Sequence, residues 1–127
     1  MVKKGIASAT YPVKILTDSQ ALLIKNNLWD FFSKNNIILL KGPVAAIISK
    51  GDIFLNENVN PGMTKAGVGD VLAGLCAGFL AQGNTLLQSS INASYFCGLV
   101  GDILEKKKEG FTYLASDMAE EIKRLLH

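Results

Sequence analysis

The run Asn60-Pro-Gly-Met-Thr-Lys-Ala-Gly-Val-Gly-Asp70-Val-Leu-Ala-Gly74 constrains this chain most, because it sets a glycine loop and a carboxylate at the head of an apolar helix. Gly67 and Gly69 permit backbone angles closed to other residues, so successive amide N–H groups can point into one concavity. The positive end of the following helix adds to their field, which makes the loop a seat for an anion such as phosphate. Asp70, inside that seat, is either an ordinary acidic residue of a helix first turn or a group whose charge is used in chemistry.

With 127 residues, 49% of them hydrophobic, the chain is long enough for one core and too apolar to be disordered. Net charge is only +2, from 13 basic and 11 acidic residues. The one dense basic run, Lys106-Lys107-Lys108, lies between Glu105 and Glu109 and reads as a solvated helix end whose cations suit the negative end of the dipole. No nucleic-acid groove follows from it. Cys76 and Cys97 fall in apolar helical stretches without a close pair or nearby histidines, so they read as small core residues and no metal site is expected. Lys3 and Lys4 resemble the start of a signal peptide, but Tyr11, Pro12, Lys14 and Asp18 interrupt what would be its apolar segment, and the chain reads as cytoplasmic. The longest apolar run, residues 71–81, is too short to span a membrane and suits a core helix.

Residues 12–16 read as a short strand, after which Thr17 and Asp18 offer an N-cap for a helix running to about Lys34, with Leu22, Leu23, Leu28, Trp29 and Phe32 as its apolar face. The uninterrupted run 37–40 before Lys41-Gly42 has the pattern of a central parallel strand covered on both faces. Residues 44–49 and 52–55 flank Lys50-Gly51 as a hairpin. A helix from about residue 68 to 82 is apolar all round, predicting burial on several sides, and stops at Gly83. Residues 85–108 form a long helix ended by Gly110, and Ser116 caps a last amphipathic helix with acidic residues early and Lys123, Arg124 and His127 late. Strands followed by helices in this order predict a layered α/β sheet with a helical cluster at its C-terminal end.

Lys-Gly after a buried strand and a glycine loop leading into a helix place two phosphate-friendly features at strand ends, where open α/β sheets bind ligands. Phosphoryl transfer needs an activated hydroxyl and charge stabilisation at the moving group, and Asp70 is placed to take the hydroxyl proton. The segment NPGMTKAGVGDVLAGLCAGFLAQG then resembles the signature of the ADP- or ATP-dependent NAD(P)H-hydrate dehydratases, repair enzymes of ribokinase-like fold whose usual form is close to NPGMTxGGTGDVLAG. Residues 93–102 and 110–122 resemble the helices that follow it in that family, and Ile38-Leu-Leu-Lys41-Gly-Pro-Val-Ala45 resembles the strand and turn of its nucleotide pocket.

The resemblance implies a partial ribokinase-like three-layer sheet, with residues 1–127 as one domain corresponding to the C-terminal half of the family's catalytic domain. It implies dehydration of hydrated NADH or NADPH, driven by ADP or ATP with Mg²⁺. Asp70 would be the base and touch the substrate, Ala66, Gly67 and Val68 would form the anion hole, and Lys41, Gly42, Pro43, Val44, Ala45 and Gly69 would hold the nucleotide. A second copy or a second polypeptide would supply the missing half. Three features depart from the family pattern. Leu16-Thr-Asp-Ser-Gln-Ala-Leu22 lacks the family's substrate-contacting histidine, Ala66 costs backbone freedom, and Val68 removes a hydroxyl, for which Lys65 offers a compensating charge. Two other readings stay open at this stage: a ribokinase-like small-molecule kinase, and a non-catalytic remnant that binds nucleotide or a partner chain.

Overall fold

The structure is a computed structural model and describes residues 2–4, 23, 26–42, 44–57 and 61–126. Among the described residues the sheet has four strands, β1 (Val2–Lys4), β2 (Ile38–Leu40), β3 (Ala45–Ile48) and β4 (Ile53–Asn56), in the order β1-β4-β3-β2. β3 is antiparallel to both β2 and β4, while β1 is parallel to β4. The helices are α1 (Trp29–Ser33), α2 (Val68–Ala81), α3 (Leu86–Lys107) and α4 (Ala115–Leu125), with a 3₁₀ turn at Pro61–Thr64 before α2. The strand expected at 12–16, most of the helix expected from residue 17, and His127 lie outside the described residues.

The hairpin around Lys50-Gly51 is present, and its register assigns the two faces of the sheet. Ala46 opposes Leu55 and Ile48 opposes Ile53, while Leu40 and Ile38 oppose the same two β3 residues from the other side. These residues form one core with Val44 and the wholly buried Phe32 of α1. The alternate residues face α3, where the buried Asn56 side chain donates to Ser94 Oγ at 2.8 Å. Helix, sheet and helix therefore stack as three layers, the α/β arrangement expected. A second core joins α2, α3 and α4 through Val68, Cys97, Val100, Leu104, Tyr113 and Met118.

Four expectations are corrected. β2 is not a central parallel strand: it is half-buried, antiparallel to β3, and outermost in the described sheet, whereas all four β3 residues are buried. The cause is loop length, since residues 41–44 can join antiparallel neighbours but are far too few for a parallel crossover. In α1 only Phe32 is buried, while Leu23, Leu28 and Trp29 are exposed. α2 runs as predicted, but only Val68 is buried, and Ala73, Gly74, Ala77, Gly78, Leu80 and Ala81 are exposed. Among the described residues α3 and α4 cover it from one side only.

The fourth correction concerns the start of α4. Its N-cap is Leu114, whose N–H donates to the Asp117 carboxylate at 2.7 Å, so a third-position acid does what was assigned to Ser116. The basic run is also less idle than its composition implied. Lys107 pairs with the buried Glu121 at 2.6 Å and Lys108 with Asp117 at 2.9 Å, tying the end of α3 to α4. Thr85 caps α3, its Oγ1 accepting from the Gln88 N–H at 3.1 Å.

Candidate functional site

The glycine loop leaves the 3₁₀ turn and enters α2 through Gly67, the helix N-cap, at φ +86°. That left-handed angle is where a side chain would be strained, and a Cβ there would lie 2.9 Å from the Ala115 Cβ. The Gly67 carbonyl accepts from the N–H groups of Asp70 and Val71, each at 3.1 Å, and so opens the helix. Val68 N–H reaches back to the Lys65 carbonyl at 3.4 Å, and its side chain is buried in the second core. Among the described residues the amides of Ala66, Gly67 and Gly69 have no backbone acceptor. Such orphan donors at a helix start, lying at the positive end of its dipole, are what an anion satisfies.

Lys41 comes to this place from the end of β2. Its ammonium lies against Gly69, where an added Cβ would sit 2.6 Å from Nζ and 3.8 Å from Cε. Glycine at 69 thus leaves room for a lysine from the neighbouring strand, and the Lys-Gly turn and the glycine loop meet at one point. Asp70 follows directly, in the first turn of α2. It is exposed, and its carboxylate has no hydrogen bond or ion pair to a side chain among the described residues. A cation, three uncommitted amides and an uncommitted carboxylate are therefore grouped at the head of one helix.

The other residues assigned to this site from sequence contribute differently. Val44 and Ala45 are buried in the sheet, which leaves main-chain groups as what they offer a ligand. Gly42 is half-buried in the turn between β2 and β3, and Pro43 lies outside the described residues. Lys65 does not supply the compensating charge expected of it. Its ammonium donates to the carbonyl oxygens of Phe111 and of Tyr113, the latter at 2.6 Å, and stands 4.8 Å above the centre of the Tyr113 ring.

Sequence reasoning missed the role of residues 111–115. Tyr113 is wholly buried beneath the loop, and a Cβ on Gly62 would fall 2.6 Å from its Oη and 2.8 Å from its Cζ. Gly62 signalled a close approach, but nothing in the sequence said which residue approaches. Elsewhere, Cys97 is inert: burial, and after it the neighbouring Cys76, pushes its thiol up to about 12. Cys97 is the small core residue expected, whereas Cys76 is only half-buried, its thiol raised by that partial burial. Among the described residues no group of three or more histidines, cysteines or carboxylates is placed to hold a metal ion. A groove of about 340 Å³ lies at the opposite end of the sheet, beside the β3–β4 turn and Thr85, away from these groups.

Comparison with known proteins gives the family and the fold. The family model described as NAD(P)H-hydrate dehydratase matches residues 12–124. The bifunctional NAD(P)H-hydrate repair enzyme Nnr of Thermosynechococcus vestitus is 47% identical over 45 residues, which are 35% of this chain and 9% of that protein. A hypothetical protein of Streptococcus mutans superposes with a TM-score of 0.72 at 27% identity, over 82% of this chain and 37% of that one. A ribokinase-like superfamily protein of Enterococcus faecalis V583 does so with a TM-score of 0.61 at 34% identity, over 76% of this chain and 34% of the other. The chain thus spans little more than a third of these solved structures and a smaller share of the curated relative.

Proposed function

The chain belongs to the NAD(P)H-hydrate dehydratase family, and from that premise we propose that it acts in nucleotide-dependent repair of hydrated NADH and NADPH, with the head of α2 as the reacting centre. The observation that carries this reading is the meeting of Lys41 Nζ with Gly69, one residue before the exposed Asp70. Asp70 takes the proton from the ring hydroxyl of the hydrated cofactor, and its lack of a competing side-chain partner supports that role. The amides of Ala66, Gly67 and Gly69 receive the charge on the transferred group, with Gly69 taking the place first given to Val68. Lys41 holds the nucleotide phosphates from the strand side, and the main chain of residues 42–45 borders the rest of the nucleotide.

When bound, ADP or ATP supplies the phosphoryl group that turns the hydroxyl into a leaving group. The residues present fit such a group, because an anion there satisfies donors that otherwise lack acceptors. Mg²⁺, if bound with the nucleotide, would neutralise charge on its phosphates. A cytoplasmic setting, where NADH and adenine nucleotides occur together, goes with the same reading. We take residues 1–127 as one domain equivalent to the C-terminal half of a ribokinase-like domain. We also propose a partner, a second copy or a second polypeptide, packed on the exposed apolar side of α2.

The test is recovery of NADH absorbance from hydrated NADH with ADP or ATP and Mg²⁺, alone and with the separately expressed N-terminal half of a relative. Repair is expected, and Asp70→Asn should lower its rate by about 10²–10⁴ while leaving the melting temperature nearly unchanged. A phosphorylated product that accumulates without NADH would replace this reading with a small-molecule kinase. Near-parental turnover by Asp70→Asn would remove Asp70 from the role of base.

A further inference from the structure

A glycine-rich loop offers an anion well-aimed donors only if something outside it holds its shape, since its own backbone carries the largest conformational freedom. Here the restraint comes from the connection between α3 and α4. Tyr113 fills the space over Gly62, Ala115 abuts Gly67, and Lys65 reaches the carbonyl oxygens of Phe111 and Tyr113. The Ala115 contact is apolar and only limits how closely the loop approaches, while over Gly62 the nearest atom is the Tyr113 hydroxyl. Lys65 is the charged, attractive tie: one ammonium bonded to two main-chain acceptors and seated over an aromatic face.

The main chain of Lys65 is tied to the same assembly from the other side. Its carbonyl accepts from Val68 N–H, one residue before Gly69 and two before Asp70. Side chain and main chain of one residue thus connect the α3–α4 segment to the first turn of α2. We infer that Lys65 is a positioning residue, a latch that fixes the loop against residues 111–113 and so sets the aim of the Ala66, Gly67 and Gly69 amides and of Asp70. It touches neither anion nor substrate. Its charge is balanced locally by Asp117, whose carboxyl is held low by the Leu114 N–H first, then by Lys108, and more weakly by Lys65. Among the described residues Lys41 is the ammonium beside the proposed anion seat. The inference rests on the repair reading only for the identity of the anion.

The test compares Lys65→Met and Lys65→Arg in the full chain. Two quantities are read: hydrogen exchange at the Asp70 and Val71 amides, both held by the Gly67 carbonyl, and the shift of the Gly67 and Gly69 amide resonances on titration with inorganic phosphate. Lys65→Met should speed that exchange about tenfold, with amides in the middle of α3 unchanged, and should flatten the phosphate response. Lys65→Arg, whose guanidinium also reaches two carbonyls, should restore both. Exchange and phosphate response unchanged in Lys65→Met would overturn the latch. So would exchange raised uniformly through α2, α3 and α4, which marks a general stability contact. A parent chain that binds phosphate but repairs no hydrated cofactor would defeat the repair reading and leave this comparison intact.

Discussion

At position 69 the absence of a side chain does two jobs, and they pull in opposite directions on stability and binding. Glycine within a helix costs roughly 0.5–1 kcal/mol relative to alanine, so Gly69→Ala should raise stability by up to about that amount. The added methyl, however, would stand 2.6 Å from Lys41 Nζ and displace the ammonium from the anion seat. Calorimetry should therefore show a variant that melts at or above the parental temperature and binds ADP more weakly. Loss of stability with unchanged binding would mean that Lys41 does not sit over Gly69 in solution. Residue by residue, the gathering of Lys41, Gly67, Gly69 and Asp70 at one helix head was legible, because glycine spacing, dipole and motif all converge there. Lys65 was not, since a sequence shows that a lysine is in a loop but not which carbonyl groups the fold will bring to it.

At the scale of elements, the charge pairs between α3 and α4 make the mount of the loop sensitive to acid. The Leu114 N–H and then the Lys108 ammonium hold the Asp117 carboxyl below the usual carboxylate range. Its folded value is thus lower than its unfolded one, and the unfolded chain binds more protons between the two. This contribution is fully present above the unfolded value, about 3.9, and is lost as pH falls through the folded one. Melting temperatures of parent and Asp117→Asn should differ at neutral pH and converge on acidification below about pH 4. A difference that persists unchanged into acid would show that the carboxylate does not cap α4. Asp117 illustrates why the cap was misread. Ser116 is the better cap by residue type, but the acid at the third position of the helix reached the Leu114 amide, a competition that depends on where the chain enters. β2 was misread for a different reason: its apolar run suits any covered strand, while the short link to β3 carried the decisive information.

Across the described residues, two cores meet at the proposed reacting centre. The sheet core delivers Lys41 from β2, and the helical core delivers the glycine loop and Asp70. The layered α/β class was legible because strands precede helices and the hairpin is plainly marked. The open side of α2 was not, because an all-apolar helix predicts burial without saying what performs it. The central claim is that these two cores, by themselves, build a nucleotide-phosphate seat between Lys41 and the head of α2. Its most direct test is thermal unfolding with Mg²⁺, with and without saturating ADP, in the parent and in Lys41→Met. A ligand held only by the native state at a hundred times its Kd adds about 2.7 kcal/mol. Melting temperature should rise clearly in the parent, and most of that rise should be lost in Lys41→Met. No rise in the parent, or an equal rise in both, would contradict it.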